Sequence, residues 1–363
     1  MIVRRSSRRI HIGPVPIGGG APIAVQSMTC TDTRDVQATV AQIKDLEAVG
    51  CEIIRFAVPN RAAALALPAI KQAIRIPLVA DIHFDYRLAL LALEGGADAL
   101  RLNPGNIRHQ EHVQAVVSAA KERSVPIRIG VNAGSLPPPE SPQEAAKSVS
   151  ERMVDLALGQ VRLLESLGFD LIKVSLKAFD VPTTIEAYRL IADRIPYPLH
   201  LGITEAGTPS AGIIRSAVGI GTLLYLGIGD TLRVSLTADP REEVRVGWEI
   251  LKSLGLRQRG VVLVSCPTCG RTETDVISLA NEVERRLQGV TEPIKVAVMG
   301  CVVNGPGEAR DADVGLAAGR GRGAIFREGQ VVRTVAEAEY LTALLEEVEK
   351  VRRERASRSM ASD

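Results

Sequence analysis

The sequence predicts an α/β chain in which a (β/α)8 TIM barrel is followed by a small α/β domain built around three cysteines. Apolar, strand-like runs alternate eight times with amphipathic helical patterns, the count, order and length of about 250 residues that this barrel requires. A doubly wound open sheet, the competing fold, more often uses about five or six strands and carries a Gly-rich nucleotide turn after the first of them. Here Gly18-Gly19-Gly20 precedes the first strand and reads as a hairpin turn. After Gln258-Arg259-Gly260 the pattern changes to strand, cysteine loop, helix, strand, cysteine loop. The predicted division is therefore 1–259 for the barrel, 260–350 for the second domain and 351–363 for a charged C-terminal tail.

The barrel strands read, in order, as Ile23 to Met28, Ile53 to Pro59, Pro77 to Phe84, Ala99 to Asn103, Pro126 to Asn132, Leu171 to Ala178, Leu199 to Thr204 and Thr231 to Thr237. Each is a short apolar or alternating run bounded by turn residues. The helices between them include Val36 to Ala48, Ala62 to Ile74, His109 to Arg123, Val149 to Leu167, Ala211 to Leu226 and Arg241 to Leu254. Many stop at a Gly-containing turn (Gly50, Gly95-Gly96, Gly168, Gly255), where a left-handed residue ends the helix. In the second domain a helix over Asp275 to Leu287 lies between strands Val261 to Val264 and Ile294 to Met299. A Gly-rich hairpin region follows over Val314 to Arg333, then a last helix from Ala336 that is expected to fray into a solvated tail from Glu346.

Composition narrows the function. The 363 residues are 46% hydrophobic, carry a net charge of +2 and contain only 3% aromatics. Neither bulk basicity nor stacking side chains point to nucleic acid. No apolar run reaches the length of a membrane span. The Arg/Ser-rich start, Met1 to Arg9, reads as a basic lead-in to the first hairpin rather than a transit peptide, and no export signal precedes it. Five unevenly spaced cysteines fit a reducing compartment, so a cytoplasmic location is expected.

The barrel strands alternate apolar residues with polar or basic ones, unlike a core of branched aliphatics. Arg55, the pair Asp81 and His83, Arg101 with Asn103, Arg128 leading to Asn132, and Lys173-x-Ser175-x-Lys177 each occupy one face of a strand. So do His200 with Thr204, and Arg233 with Ser235 and Thr237. The outer face must be apolar to receive helices, so the polar face points inward. Internal salt bridges would explain any single member. Basic residues from so many strands around one axis, with few carboxylates, call instead for an anion, because unpaired buried like charges cost several kcal/mol each. Arginine suits phosphate, so a small diphosphate ligand is expected in the barrel mouth. Glu205, at the end of the seventh strand, is the candidate proton donor, with partner to a barrel arginine as its alternative role.

The cysteines sit in two Gly/Pro-framed loops, Ser265-Cys266-Pro267-Thr268-Cys269-Gly270-Arg271 and Gly300-Cys301-Val302-Val303-Asn304-Gly305-Pro306-Gly307-Glu308, each following a strand. Three thiolates are one short of a closed structural zinc site, whereas an iron–sulfur cluster that does chemistry keeps one iron differently ligated. Glu308 offers a fourth ligand. A zinc knuckle and a thioredoxin-like pair stay open as alternatives; Cys30 and Cys51 read as free thiols.

These residues resemble a known family. Pro-Ile-Ala-Val-Gln-Ser-Met-Thr (22–29), Pro-Leu-Val-Ala-Asp-Ile-His-Phe-Asp-Tyr-Arg (77–87), Leu-Arg-Leu-Asn-Pro-Gly-Asn-Ile (100–107) and both cysteine loops are similar to the bacterial 4-hydroxy-3-methylbut-2-enyl diphosphate synthase family, in order and over essentially the whole chain. The resemblance implies a [4Fe–4S] cluster domain ligated by Cys266, Cys269, Cys301 and Glu308. It implies an oxidoreductase of the methylerythritol phosphate pathway of isoprene biosynthesis, with 2-C-methyl-D-erythritol 2,4-cyclodiphosphate held in the barrel. Its expected contacts are Arg55, His83, Arg101, Asn103, Arg128, Asn132, Lys177, His200, Arg233 and Ser235. It further implies a flavodoxin or ferredoxin as electron donor and a homodimer in which one subunit's cluster domain closes over the other's barrel. The plant-type inserted domain is absent, and Cys30 stands where a small polar residue is more usual. A zinc-bearing barrel that senses a phosphorylated metabolite, or a barrel aldolase using Lys173 or Lys177 as Schiff base, are the alternatives from other functional classes.

Overall fold

The computed structural model describes residues 2–83, 85–102, 109–301 and 309–360, the last three without their side chains. The chain divides into two compact units, Met1–Arg257 and Gln258–Asp363. Among the described residues no helix is long and apolar enough to cross a membrane.

The first unit opens with a hairpin of β1 (Ile10–Ile12) and β2 (Val15–Ile17), paired antiparallel. Its turn is Gly13-Pro14, so Gly18-Gly19-Gly20 is not the hairpin turn the sequence suggested. Those three glycines, all at positive φ, instead lead out of β2 toward the first barrel strand. Ile10, Ile12 and Ile17 pack on Ala24, Ile53, Val79 and Ala99 and close the barrel floor. The basic lead-in is tied down as well: Arg4 donates to the Ala21 carbonyl at 2.5 Å and pairs with Asp230, and Arg5 donates to the Ala192 carbonyl at 2.6 Å.

Barrel strands and helices then alternate as expected. The strands are β3 (Ala24–Met28), β4 (Ile53–Ala57), β5 (Leu78–Ile82), β6 (Ala99–Leu102), β7 (Ile127–Asn132), β8 (Ile172–Lys177), β9 (His200–Leu201) and β10 (Thr231–Leu232). All pair parallel with their neighbours, and the Val174–Leu199 bridge closes the ring between β8 and β9. The helices are α1 (Val36–Ala48), α2 (Arg61–Ala73), α3 (Tyr86–Glu94), α4 (Gln110–Glu122), α5 (Pro142–Ala145), α6 (Val149–Ser166), α7 (Val181–Ala192), α8 (Pro209–Tyr225) and α9 (Pro240–Ser253). Side-chain caps start most of them. Asp35 and Asn60 accept from N3-region amides of α1 and α2, and Ser148 with Glu151 forms a capping box on α6. One continuous apolar layer fills the space between strands and helices, including Phe56, Leu100, Ile172 and Leu251.

The second unit is a five-stranded sheet in the order β11 (Val261–Ser265), β12 (Ile294–Met299), β13 (Val314–Ala318), β14 (Arg322–Arg327), β15 (Gln330–Ala336). Helices α10 (Val276–Leu287) and α11 (Tyr340–Met360) pack with it around Val283, Val296, Leu316 and Leu344. Gly315 lies under the Phe326 ring, which leaves no room for a side chain there. The frayed tail expected from Glu346 is corrected: α11 continues to Met360. Val351 is buried, Arg327 pairs with Glu354 at 2.6 Å, and Arg355 pairs with Asp313 at 2.5 Å. Arg352, Glu354 and Arg355 thus serve docking of the helix rather than solvation.

Candidate active site

The strand registers explain how a cavity forms on the barrel axis. Each strand steps by about one residue relative to the last, the shear of this fold, so inward residues of alternate strands share a level. Gln26, Val79, Arg128 and His200 fall on one level. Arg55, Arg101, Ser175 and Arg233 lie above it, and Met28, Asp81, Gly130 and Gly202 lie above those. In that third level two of the positions that would normally fill the axis carry no side chain. Arg101 occupies the space at Gly130, where a Cβ would meet its Nε at 2.7 Å. Lys177 occupies the space at Gly202, where a Cβ would meet its Nζ at 2.4 Å. The remaining room is a cavity of about 230 Å³.

Arg55, His83, Arg101, Arg128, Asn132, Lys177, Arg233 and Ser235 line it, so the structure gathers these candidates as the alternation suggested. Others are not gathered there. His200 is fully buried on the level below, its Nδ1 within 2.8 Å of Thr231 Oγ1. Lys173 is buried lower still and does not line the cavity. Glu205 is exposed, directly after the lining residue Thr204, and holds a left-handed φ of 55°. Asn103 lies outside the described residues.

Two carboxylates organise the cations. Asp81 stands 3.1 Å from Arg101 Nη1, 3.6 Å from Arg55 Nε and 3.8 Å from His83 Nε2. Glu243, from α9, pairs with Arg233 at 3.2 Å and accepts the Leu236 amide at 2.9 Å. Met28 Sδ receives Arg55 Nε at 3.1 Å and Nη2 at 2.9 Å. Asp81 and Glu243 set against Arg55, Arg101, Arg128, Lys177 and Arg233 leave an excess of three cationic side chains. Burial first, then mutual repulsion, drives Arg128 and Lys177 well below their ordinary values. Burial lowers Arg55 to about 10 despite the opposing pull of Asp81. For Asp81 burial favours the acid, but Arg55, Arg101, His83 and Arg128 together hold it below the usual carboxylate range. Met28, Asp81, Ser175, Ile203, Thr204 and Glu243 also belong to this site. Asp81, Ser175 and Thr204 were legible in the strand alternation. Glu243 had only a weak signal, a carboxylate on the apolar stripe of α9.

In the second unit β11 and β12 run parallel with Ser265 opposite Val298, so Cys266 and Gly300-Cys301 leave the sheet at the same end. The Gly300 amide donates to Cys266 Sγ at 3.1 Å, and the Glu273 amide donates to the Gly300 carbonyl at 3.0 Å, joining the two loops. The Cys269 amide donates to Thr272 Oγ1 at 3.1 Å. The Cys269 thiol is lowered by the Arg271 backbone amide, then by the Arg271 and Thr272 side chains. A side chain at Gly300 would press on Thr272 and Val276, so the close approach of the loops needs glycine there. Cys266, Cys269 and Cys301 are all free thiols. Glu308 lies outside the described residues. Among the described residues no group of three or more His, Cys, Asp or Glu is gathered for a metal ion. The donor set, three thiols from adjacent loops with an N–H directed at one sulfur, fits a soft, thiolate-bound metal centre.

Family models decide the affiliation: the GcpE TIM-barrel domain matches residues 7–248 and the GcpE protein C-terminal domain matches residues 262–350. The chain belongs to the GcpE family. Among its relatives, a protein of Dehalococcoides mccartyi is 62% identical over 351 residues, covering 96% of this chain and 99% of the relative. One of Geobacter sulfurreducens is 62% identical over 349 residues, covering 96% and 99%. One of Caldanaerobacter subterraneus is 59% identical over 352 residues, covering 97% and 99%. Each carries the name 4-hydroxy-3-methylbut-2-en-1-yl diphosphate synthase (flavodoxin). Among solved structures, the dihydropteroate synthase of Stenotrophomonas maltophilia with active-site-bound imidazole aligns with a TM-score of 0.51 at 14% identity, covering 68% of this chain and 99% of that one. This likeness concerns the barrel fold alone.

Proposed function

We propose that this GcpE-family chain is an oxidoreductase that reductively opens 2-C-methyl-D-erythritol 2,4-cyclodiphosphate and dehydrates it to 4-hydroxy-3-methylbut-2-enyl diphosphate, a step of isoprenoid precursor synthesis. The observation that carries the reading is the cationic excess buried in the barrel, in a chain whose full-length relatives bear that enzyme's name. A diphosphate is the small ligand that satisfies so many converging N–H donors at once.

Arg55, Arg101, Arg128, Lys177 and Arg233 bind the phosphate oxygens, with Asn132 and Ser235 as neutral donors and His83 at the rim. Asn103 is expected to join them, whereas His200 acts only from beneath. Asp81 holds Arg55 and Arg101 in place without neutralising the site. In the reaction two electrons enter, the ring C–O bond to one phosphate breaks, and a hydroxyl leaves as water. Glu205 would supply the proton to that hydroxyl, which requires its exposed side chain to turn toward the cavity. Cys266, Cys269, Cys301 and Glu308 would hold a [4Fe–4S] cluster. When bound, the cluster supplies electrons one at a time and a Lewis-acidic iron. The electron donor is read as a flavodoxin, the carrier in the relatives' name, with a ferredoxin as the substitute. Residues 1–259 serve as substrate domain and 260–350 as cluster domain, in a cytoplasmic homodimer.

Anaerobic purification followed by metal analysis and turnover of the cyclic diphosphate with reduced flavodoxin tests the reading. Four irons per chain and reduction of the substrate are expected for this cluster type. One zinc and no iron would overturn it in favour of a sensor. Borohydride trapping of a carbonyl substrate would favour an aldolase, which could use only Lys177, since Lys173 is away from the cavity.

A further inference from the structure

We infer that Gln26, Arg128 and His200 hold an ordered-water site on the barrel axis, directly beneath the anion cavity, and that this water positions the Arg128 guanidinium. The three residues come from β3, β7 and β9 and share one level of the barrel, with the apolar Val79 as the fourth member. They are 1%, 2% and 0% exposed. Yet Gln26 Nε2 and Oε1, Arg128 Nε and Nη1, and His200 Nε2 all lack a protein partner. A natural interior leaves few such atoms unmatched, and where several inward-facing ones share a level the usual solution is buried water making about three hydrogen bonds.

The donor and acceptor pattern selects water over an anion. Arg128 and the Gln26 amide nitrogen donate, whereas Gln26 Oε1 accepts. A chloride or other halide could receive from the donors but would leave the Gln26 oxygen facing an anion. Water can accept from Arg128 and donate to Gln26 Oε1. It can also serve His200 Nε2 in either tautomer, since His200 Nδ1 is matched by Thr231 Oγ1. The floor of this layer contains Lys173 and Thr231, and its roof is the cavity that Arg128 lines. Water here would hold a guanidinium nitrogen turned away from solvent and so aim the rest of Arg128 at the ligand. Gln26 is then a positioning residue for phosphate binding, acting through water and Arg128.

The second half of this inference rests on the cavity being an anion site; the water itself does not. High-resolution diffraction from the full-length holoenzyme crystallised with bromide reads the first half. Density within hydrogen-bond reach of Gln26, Arg128 and His200 without a bromine anomalous peak is expected. A bromide peak or an empty, dry level would overturn the water site. Thermal melting and calorimetry with inorganic diphosphate read the second half in Gln26→Met and Gln26→Asn. Around water, Gln26→Met lowers the melting temperature and weakens diphosphate about tenfold, the loss of one hydrogen bond assisting a charge, and Gln26→Asn recovers most of both. In a dry core Gln26→Met removes an unmatched amide, so the melting temperature rises and diphosphate binding stays unchanged, which would overturn the inference. If the wild-type protein ignores diphosphate altogether, the anion reading of the cavity and the positioning role fall together, while the density still decides the water.

Discussion

Replacing Asp81 with asparagine is the sharpest test of how this barrel carries its charge. Asp81 is 2% exposed and faces Arg101 at 3.1 Å and Arg55 at 3.6 Å. At an effective dielectric near 20, each contact is worth about 5 kcal/mol before desolvation. Removing one partner of a buried pair leaves the others uncompensated, so the net loss is about 3–5 kcal/mol. For a unit of this size that corresponds to a fall of roughly 10 °C in melting temperature. An asparagine keeps the volume and can still accept from Arg101, so the effect isolates charge. Asp81 also repels any anion in the cavity, so Asp81→Asn should bind inorganic diphosphate at least as tightly as wild type. A ligand at about 100 times its dissociation constant adds roughly 2.7 kcal/mol, so diphosphate should restore much of the lost stability. Paired melts with and without diphosphate measure both. A variant that melts within a degree or two of wild type, or that diphosphate protects less than wild type, would refute the reasoning.

Other consequences follow from the same geometry. Gly202→Ala places a methyl 2.4 Å from Lys177 Nζ and 2.6 Å from the Arg233 carbonyl. The ammonium can swing away but the carbonyl cannot, so stability should fall by about 1–3 kcal/mol and diphosphate affinity at least tenfold; unchanged affinity would show that Lys177 does not meet the ligand. Gly221→Ala, in α8 with open space at its Cβ, is the contrasting case and should gain about 0.5–1 kcal/mol in a denaturant titration. His200 gives a pH signature: burial, then Arg128, Lys177 and Lys173, holds it well below 6.5. Below pH 6.5 the unfolded chain takes up a proton that the folded chain refuses, so stability drops by up to about 1.4 kcal/mol per pH unit as pH falls. His200→Gln should flatten that part of the stability curve, and an unaltered slope would place its origin elsewhere.

Much of this organisation was legible in the residues because side-chain period survives where pairing does not. Val36–Ala48 was read to the residue, since its amphipathic spacing and the Gly50 stop are local signals. The strands expected over Leu199 to Thr204 and Thr231 to Thr237 form ladders only at His200–Leu201 and Thr231–Leu232. Their alternation still predicted that Thr204, Arg233 and Ser235 line the cavity, because it reports direction rather than hydrogen bonding. The counter-ions were harder. Asp81 meets Arg101 only across a register, and Glu243 reaches Arg233 from a helix, so no sequence spacing announces either pair. His200 was misplaced for a related reason: its face was right, but its depth depends on the shear accumulated around the ring. The tail misled because opposite charges at helical spacing, such as Glu349 with Arg352 and Arg353, look like solvation until a docking surface is present.

The glycines and the cations of this barrel are one design rather than two. A barrel interior is ordinarily filled level by level, and a level missing two side chains would be a void that weakens the fold. At Gly130 and Gly202 the void is entered instead by Arg101 and Lys177, long side chains rooted on neighbouring levels. Long cations span such a gap without filling it, so their charged ends converge around residual space. Burial first, and convergence after it, is electrostatically unfavourable for these cations in the empty protein, which lowers Arg128, Lys177 and Arg55. Asp81 and Glu243 relieve part of that stress but are too few to remove it. A bound polyanion removes the rest, so the energy stored against burial becomes affinity for charge when the ligand arrives. Neutralising the excess with a further carboxylate would stabilise the empty barrel and weaken the site in the same stroke, which is why stability and binding here cannot be improved by the same substitution.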